Sequence, residues 1–280
     1  MLKALARRLR TSFYRTLTHL ERMTPGHDAL LPPAHLRVYY YRTLRRTAFE
    51  RACAGAREEL LSRGLRPEHR VLDIGSGIGN LAVGLLGYLE GGYDGVEING
   101  EAVAWCQRAI TPRHPSFRFH RVDLASRAYN PSGRLTASTF RFPFPDAQFD
   151  FIFLGSVFTH MLPDAVAQYI HEIARLLASG GVCVASYFLL DRDRRAAIHA
   201  GRSFISFGVE HPSGLCLTHS ARVPEAAVAL EESFVREVHE KAGLRIRDVR
   251  RGEWWMGRPD DQDVLTVTRI DGPIDPPARS

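Results

Sequence analysis

The stretch Val71-Leu72-Asp73-Ile74-Gly75-Ser76-Gly77-Ile78-Gly79-Asn80 constrains this chain more than any other. An apolar run ends in an acid, and glycines follow at every second position. That is how a buried strand turns into a helix whose first amide groups lie bare against a ligand. A Cβ there would hold the ligand off the backbone, and the tight turn calls for positive φ. The pattern predicts an open α/β sheet that binds its ligand at the carboxyl ends of the strands.

The flanking periodicity agrees. Strands are predicted at 70–74, 92–98, 117–122, 149–154 and 182–190, with helices at 79–90, 100–110 and 164–178 between them. Such alternation gives a parallel sheet covered by helices on both faces. Residues 34–64 read as helical and end at Gly64. Pro224 opens a further helix running to about Ala242, with Gly243 as its cap. Two β-rich segments, 244–255 and 263–270, then read as an antiparallel hairpin closing the sheet edge. The predicted organisation is a basic helix and helical cap in 1–68, one α/β domain in 69–270, and a loose proline-containing tail in 271–280. The long connection 191–223, with Arg192, Arg194, Arg195, His211 and His219, reads as a lid inserted into that domain.

Charge narrows the possible partners. The net charge is +6, but Lys3, Arg7, Arg8, Arg10 and Arg15 fall within the first twenty residues, which hold no acid. The rest of the chain is close to neutral, so no broad basic surface for nucleic acid is expected. Cys53, Cys106, Cys183 and Cys216 form no CxxC pair, which argues against a zinc site and fits a reducing, cytoplasmic setting. No run approaches the ~20 apolar residues needed to span a bilayer. In residues 2–23, Leu2, Leu5, Leu9, Phe13, Leu17 and Leu20 recur at helical spacing among the basic residues. The expected role is a cap helix on the core, with peripheral contact to anionic membrane through residues 1–23 as the other reading.

Candidate site residues sit at successive strand ends. Glu97 follows the second strand, 24 residues after Asp73, where an acid can accept from ribose hydroxyls. Asp123 ends the third strand, placed to meet an adenine amino group. Phe149-Asp150-Phe151-Ile152-Phe153-Leu154 delivers Gly155-Ser156 to the cleft mouth.

In this order the motifs resemble those of class I S-adenosylmethionine-dependent methyltransferases over roughly residues 69–190, extending to the closing hairpin. The segment Leu177-Ala178-Ser179-Gly180-Gly181 adds to the likeness. The resemblance implies a Rossmann-like, seven-stranded, mostly parallel sheet with an antiparallel closing strand, a helical N-terminal cap and an inserted lid. It implies S-adenosylmethionine as cofactor, S-adenosylhomocysteine as product, and a small-molecule acceptor. Gly75, Ser76, Gly77 and Gly79 would approach the methionine part, with Asp73 near its amino group. Glu97 would bind the ribose, and Ile98 would lie beside the adenine. Asp123 would meet the adenine amino group and Leu124 would pack on its ring, while Leu154 and Gly155 would line the methionine side. A nicotinamide-dependent dehydrogenase fits less well, because its GxGxxG fingerprint needs the third glycine one residue later than Gly79. A non-catalytic partner protein on the same fold is the other alternative.

Methyl transfer to a hydroxyl requires a base for the acceptor's proton. His160, in Phe158-Thr159-His160-Met161-Leu162 after the fourth strand, is the candidate, and Asp263, Tyr39 and Tyr40 are further groups within reach of a cleft. The Asn/Asp-Pro-Pro-Tyr/Phe tetrapeptide of base-amino methyltransferases is missing after that strand, where Leu154-Gly155-Ser156-Val157 stands. Together with Leu31-Pro32-Pro33 and Tyr129-Asn130-Pro131-Ser132-Gly133, the segment resembles a bacterial subgroup acting on small molecules, sugars or lipid-linked intermediates. The expected reaction is therefore O-methylation of such a hydroxyl.

Overall fold

The computed structural model describes residues 13–270 apart from 15, 22, 24–27, 204, 259 and 260. The predicted tail at 271–280 and most of the basic arm lie outside the described residues. Two compact units are present, one of residues up to 68 with 76–121, the other of 69–75 with those from 122 onward.

The first unit holds helices α1 (Ala34–Tyr41), α2 (Arg46–Leu61), α3 (Asn80–Leu85) and α4 (Gly100–Ala109), with strands β2 (Tyr93–Glu97) and β3 (Phe117–Arg121). The helical stretch expected over 34–64 is broken at Arg42, whose left-handed backbone (φ 56°) ends α1. Every residue of β2 is buried, including Asp94. That carboxylate accepts from Arg118 Nη2 (2.8 Å) and Nε (3.1 Å) and pairs with His120 Nε2 (2.7 Å) on the neighbouring strand. Burial alone would raise its pKa; the bonds from His120 and Arg118 outweigh that and hold it low.

The second unit contains β1 (Val71–Ile74), β4 (Phe149–Leu154), α5 (Pro163–Leu176), β5 (Leu177–Tyr187), β6 (Leu189–Leu190), α6 (Arg192–His199), β7 (Val209–Glu210), β8 (Cys216–Thr218), β9 (Val228–Glu231), α7 (Glu232–Lys241), β10 (Leu244–Arg250) and β11 (Asp263–Arg269). The main sheet has seven strands in the order β10-β11-β5-β4-β1-β2-β3. The pairs β1–β4, β4–β5 and β2–β3 are parallel, and β11 runs antiparallel to both β5 and β10. This is the Rossmann-like sheet with the closing hairpin that the alternation and resemblance predict. All four residues of β1 are buried, as expected of a strand covered on both faces.

The differences arise where tertiary pairing outweighs local pattern. The predicted helix from Pro224 begins only at Glu232; Pro224–Ala226 is a single 3-10 turn, and Val228–Glu231 is a strand. Val228, Ala229 and Leu230 are fully buried, and β9 completes a second sheet of order β6-β9-β8-β7. The span 182–190 divides likewise, with β5 in the main sheet and Leu189–Leu190 in the small one. Segment 191–223 supplies α6, β7 and β8. Behind the small sheet, Phe188, Phe207 and Trp254 form an aromatic cluster with ring centroids 5.0–5.7 Å apart.

Asp263 joins these parts. It is fully buried and accepts from Leu189 N (2.9 Å), Gly252 N (3.0 Å), Trp254 Nε1 (2.8 Å) and Arg194 Nη1 (2.9 and 3.0 Å). The expectation that Asp263 reaches a cleft is thus corrected: its carboxylate is consumed by internal donors. Among the described residues no helix is long and apolar enough to cross a membrane.

Candidate functional site

The glycine loop belongs to both units, Gly75 to one and Ser76 onward to the other. In the first unit, Gly77 and Gly79 both have positive φ. Gly77 lies under the Tyr40 ring: a Cβ there would sit 3.1 Å from Tyr40 Cε1. Gly79 packs against Cys106 and Ile110, so it serves helix packing on α4.

Glu97, 8% exposed, is wired to the loop. Its Oε2 accepts from Gly77 N (2.9 Å), and its Oε1 from Ile98 N (2.7 Å) and Asn99 N (2.8 Å). These bonds fix the carboxylate's plane and leave about one of its four acceptor positions for a hydroxyl. Burial raises the Glu97 pKa, against the amides of Asn99, Gly77 and Ile98. Ser76 Oγ is buried with no hydrogen-bond partner. An orphaned hydroxyl in the glycine loop suits a polar ligand better than a closed core. Asn99 caps α4 through Glu101 N and Ala102 N. Of the two cap tyrosines, Tyr40 is the one packed on the loop, whereas Tyr39 is 45% exposed.

In the second unit, Asp73 is buried in β1 and Gly75 is exposed at its end, with Val157 Cγ2 only 2.5 Å from where a Cβ would stand. Leu154 is fully buried, and Ser156 follows Gly155 in a left-handed conformation (φ 56°). Such strain in a non-glycine residue persists only where neighbours hold it. Here Ser156 N donates to Ser186 Oγ (2.7 Å), Ser186 Oγ to Gln262 Oε1 (2.7 Å), and Gln262 Nε2 to Ser156 Oγ (2.9 Å).

Asp123 organises the loop that follows β3. It accepts from Asn130 Nδ2 (3.1 Å) and Arg134 Nε (2.8 Å), and its carbonyl receives Arg134 N and Leu135 N. Leu124 is buried beside it. Gly133 closes the turn, since a Cβ there would lie 2.4 Å from the Leu124 carbonyl. The folded loop carries Tyr129 onto His160, with ring centroids 5.0 Å apart. Asp150 holds Arg70 N (2.8 Å), a strand-end role.

His160 stands in the 3-10 turn Phe158–His160, directly after β4. Its Nδ1 is 3.0 Å from Glu225 O, which can only accept, so Nδ1 carries the hydrogen and Nε2 the lone pair. Tyr129 Oη lies 3.0 Å from Nε2 and 3.2 Å from Nδ1, nearly equidistant from the two nitrogens, so the phenol packs against the ring and leaves the in-plane lone pair of Nε2 open. Burial lowers the His160 pKa, so the ring is neutral near pH 7. Thr159 Oγ1 and Glu225 Oε2 are buried without hydrogen-bond partners. Sequence reasoning used Tyr129 only as part of a subgroup likeness and gave it no role, because only the folded loop brings the phenol to the histidine. It missed Ser186, which has no motif of its own. Among the described residues no cluster of His, Cys, Asp and Glu could hold a metal ion.

A family model described as "Methyltransferase domain" matches residues 72–185. Solved structures share the fold at low identity. The PH0226 protein of Pyrococcus horikoshii OT3 aligns with TM-score 0.56 and 16% identity over 84% of this chain and 96% of its own. A Methanosarcina mazei structure titled as an S-adenosylmethionine-dependent methyltransferase aligns at 0.52 and 20% identity, over 75% and 97%. The Burkholderia thailandensis 1,6-didemethyltoxoflavin-N1-methyltransferase, solved with that substrate and S-adenosylhomocysteine, aligns at 0.50 and 20%, over 87% and 93%. Residues 72–185 thus match a methyltransferase domain, and the glycine loop and strand order are those of the Rossmann-like methyltransferase fold.

Proposed function

We propose that the chain methylates an oxygen of a small-molecule acceptor, a sugar, lipid-linked or natural-product hydroxyl, with His160 as the base. The observation that carries this reading is the fixed tautomer of His160, whose basic Nε2 is turned away from Glu225 O immediately after β4. S-adenosylmethionine supplies the sulfonium-bound methyl group. Gly75, Ser76, Gly77 and Gly79 would line it, with Glu97 and Ile98 toward the nucleoside, Asp123 and Leu124 toward the adenine, and Asp73, Leu154 and Gly155 toward the methionine end. Tyr40, resting on Gly77, would cover that ligand.

Displacement at a sulfonium needs alignment and exclusion of water more than covalent help. The acceptor oxygen forms the new C–O bond as the S–C bond breaks, and S-adenosylhomocysteine leaves. The acceptor's proton passes directly to the lone pair of His160 Nε2 as the new bond forms. Unsatisfied Thr159 Oγ1 and Glu225 Oε2 favour a polar acceptor.

The test is transfer of labelled methyl from S-adenosylmethionine into a microbial small-molecule extract, with calorimetry of S-adenosylhomocysteine alongside. His160→Ala should slow transfer by roughly 10²-fold or more with cofactor affinity preserved. Tyr129→Phe should slow it less and move the acid limb of its pH profile. Undiminished transfer by His160→Ala would remove the base and with it the hydroxyl reading.

A further inference from the structure

Over its described residues the N-terminal arm is docked by polar side chains and leaves Phe13, Leu20 and Met23 exposed. Residues 13, 14, 16–21 and 23 are helical. Thr18, 9% exposed, donates through Oγ1 to Tyr14 O (2.9 Å) and accepts from Ala34 N (2.9 Å), so it caps α1 from outside. Glu21 Oε1 pairs with Arg37 Nη2 at 2.5 Å, and Arg37, 1% exposed, also donates to Pro32 O. Positions 14, 18 and 21 form one helical face, and that face meets the cap. Phe13, Leu20 and Met23 form the adjacent face and are 61%, 55% and 70% exposed. A helix serving only as a cap would turn these three inward. Of the apolar stripe read from the sequence, Phe13 and Leu20 are thus exposed and Leu17 is half-buried, while Thr18 and Glu21 hold the described part of the arm on α1.

We infer that this face is a docking surface for an anionic bilayer, with the arm lying in the membrane plane. Charge selects that occupant. The first twenty residues hold five basic side chains and no acid, whereas the other 260 are close to neutral. Leu2, Leu5 and Leu9, outside the described residues, continue the Phe13–Leu20 spacing in sequence. Apolar insertion flanked by arginines matches an interface of headgroup phosphates over acyl chains. Nucleic acid would use the arginines and leave Phe13, Leu20 and Met23 in water; a neutral apolar groove would leave the charge unused.

The experiment is co-sedimentation of the full-length protein with large vesicles of phosphatidylcholine containing roughly one-third phosphatidylglycerol, against vesicles of phosphatidylcholine alone. The expected result is binding to the anionic vesicles, at least about tenfold weaker on the neutral ones and in several-fold higher salt. Phe13→Ser/Leu20→Ser should reduce binding about tenfold or more, with circular dichroism and S-adenosylhomocysteine affinity unchanged, since both side chains are exposed. Arg7→Ser/Arg8→Ser/Arg10→Ser should reduce anionic binding alone. Absent binding, or binding indifferent to the Phe13/Leu20 pair, overturns the proposal. So does a lipid-free dimer that Phe13→Ser/Leu20→Ser dissociates, which would make the face a self-interface.

Discussion

Replacing Asp263 by alanine should be among the most damaging single changes in the second unit. The side chain is fully buried and receives five hydrogen bonds from four donors, one of them the guanidinium of Arg194, itself 6% exposed. Truncation leaves that cation buried with Leu189 O (3.3 Å), Gly252 O (3.1 Å), the Trp254 ring 5.7 Å away, and the half-exposed Asp191 carboxylate at 3.8 Å, too long for a hydrogen bond. It also orphans the N–H groups of Leu189, Gly252 and Trp254. Removing one partner of a buried pair costs about 3–5 kcal/mol, and orphaned donors add to this without full additivity. The expected loss is therefore about 4 kcal/mol, a large share of the 5–15 kcal/mol typical of whole domains. At roughly 2–4 °C per kcal/mol, the melting temperature should fall by about 10 °C. Urea unfolding followed by circular dichroism, with the slope compared between variants, measures this. Asp263→Ala/Arg194→Met should recover part of the loss, because no uncompensated charge then remains. A loss below about 1 kcal/mol for the single variant would refute the account of Asp263 as the hub of the two sheets.

Glu97→Ala should weaken S-adenosylhomocysteine binding severely by calorimetry, and unchanged affinity would sink the nucleoside assignment. Because burial raises the Glu97 pKa, the ligand-accepting carboxylate is lost at a higher pH than for an ordinary glutamate. Affinity should therefore decline as pH falls toward the acid range, with proton release on binding there; a flat profile that Glu97→Gln does not alter would count against it. Asp94 runs the other way. Its pKa is held below the unfolded value of about 3.9, so its pair with Arg118 and His120 contributes stability above that pH and loses it as pH falls. Asp94→Asn should lower stability at neutral pH and flatten the acid limb of a stability–pH curve; equal acid sensitivity in the two proteins would refute this.

Much of the fold was legible because the periods of strand and helix differ and the glycine loop marks where they change. Val71–Ile74 could be placed to within a residue or so because a strand covered on both faces leaves a mostly apolar run, and Tyr93–Glu97 because it lies between two helical patterns. Residues 224–231 were not legible as a strand. Val228-Ala229-Leu230 suits either a helix or a strand locally, and only pairing with β6 and β8 decides between them. The acids were found by position, but the protein bonds that hold them were not: Glu97 lies on the loop amides, Asp123 folds its own loop, and Asp263 is an interior anchor.

The sequence by itself determined the glycine loop, the strand-end acids and the parallel sheet, because each depends on backbone geometry and burial periodicity encoded within a few residues. Tertiary structure alone decided that Tyr40 rests on Gly77, that Tyr129 meets His160, that Asp263 is spent inside, and that the arm turns Phe13, Leu20 and Met23 outward. Those outcomes depend on which distant segments supply hydrogen-bond partners for one another, and no local period records that.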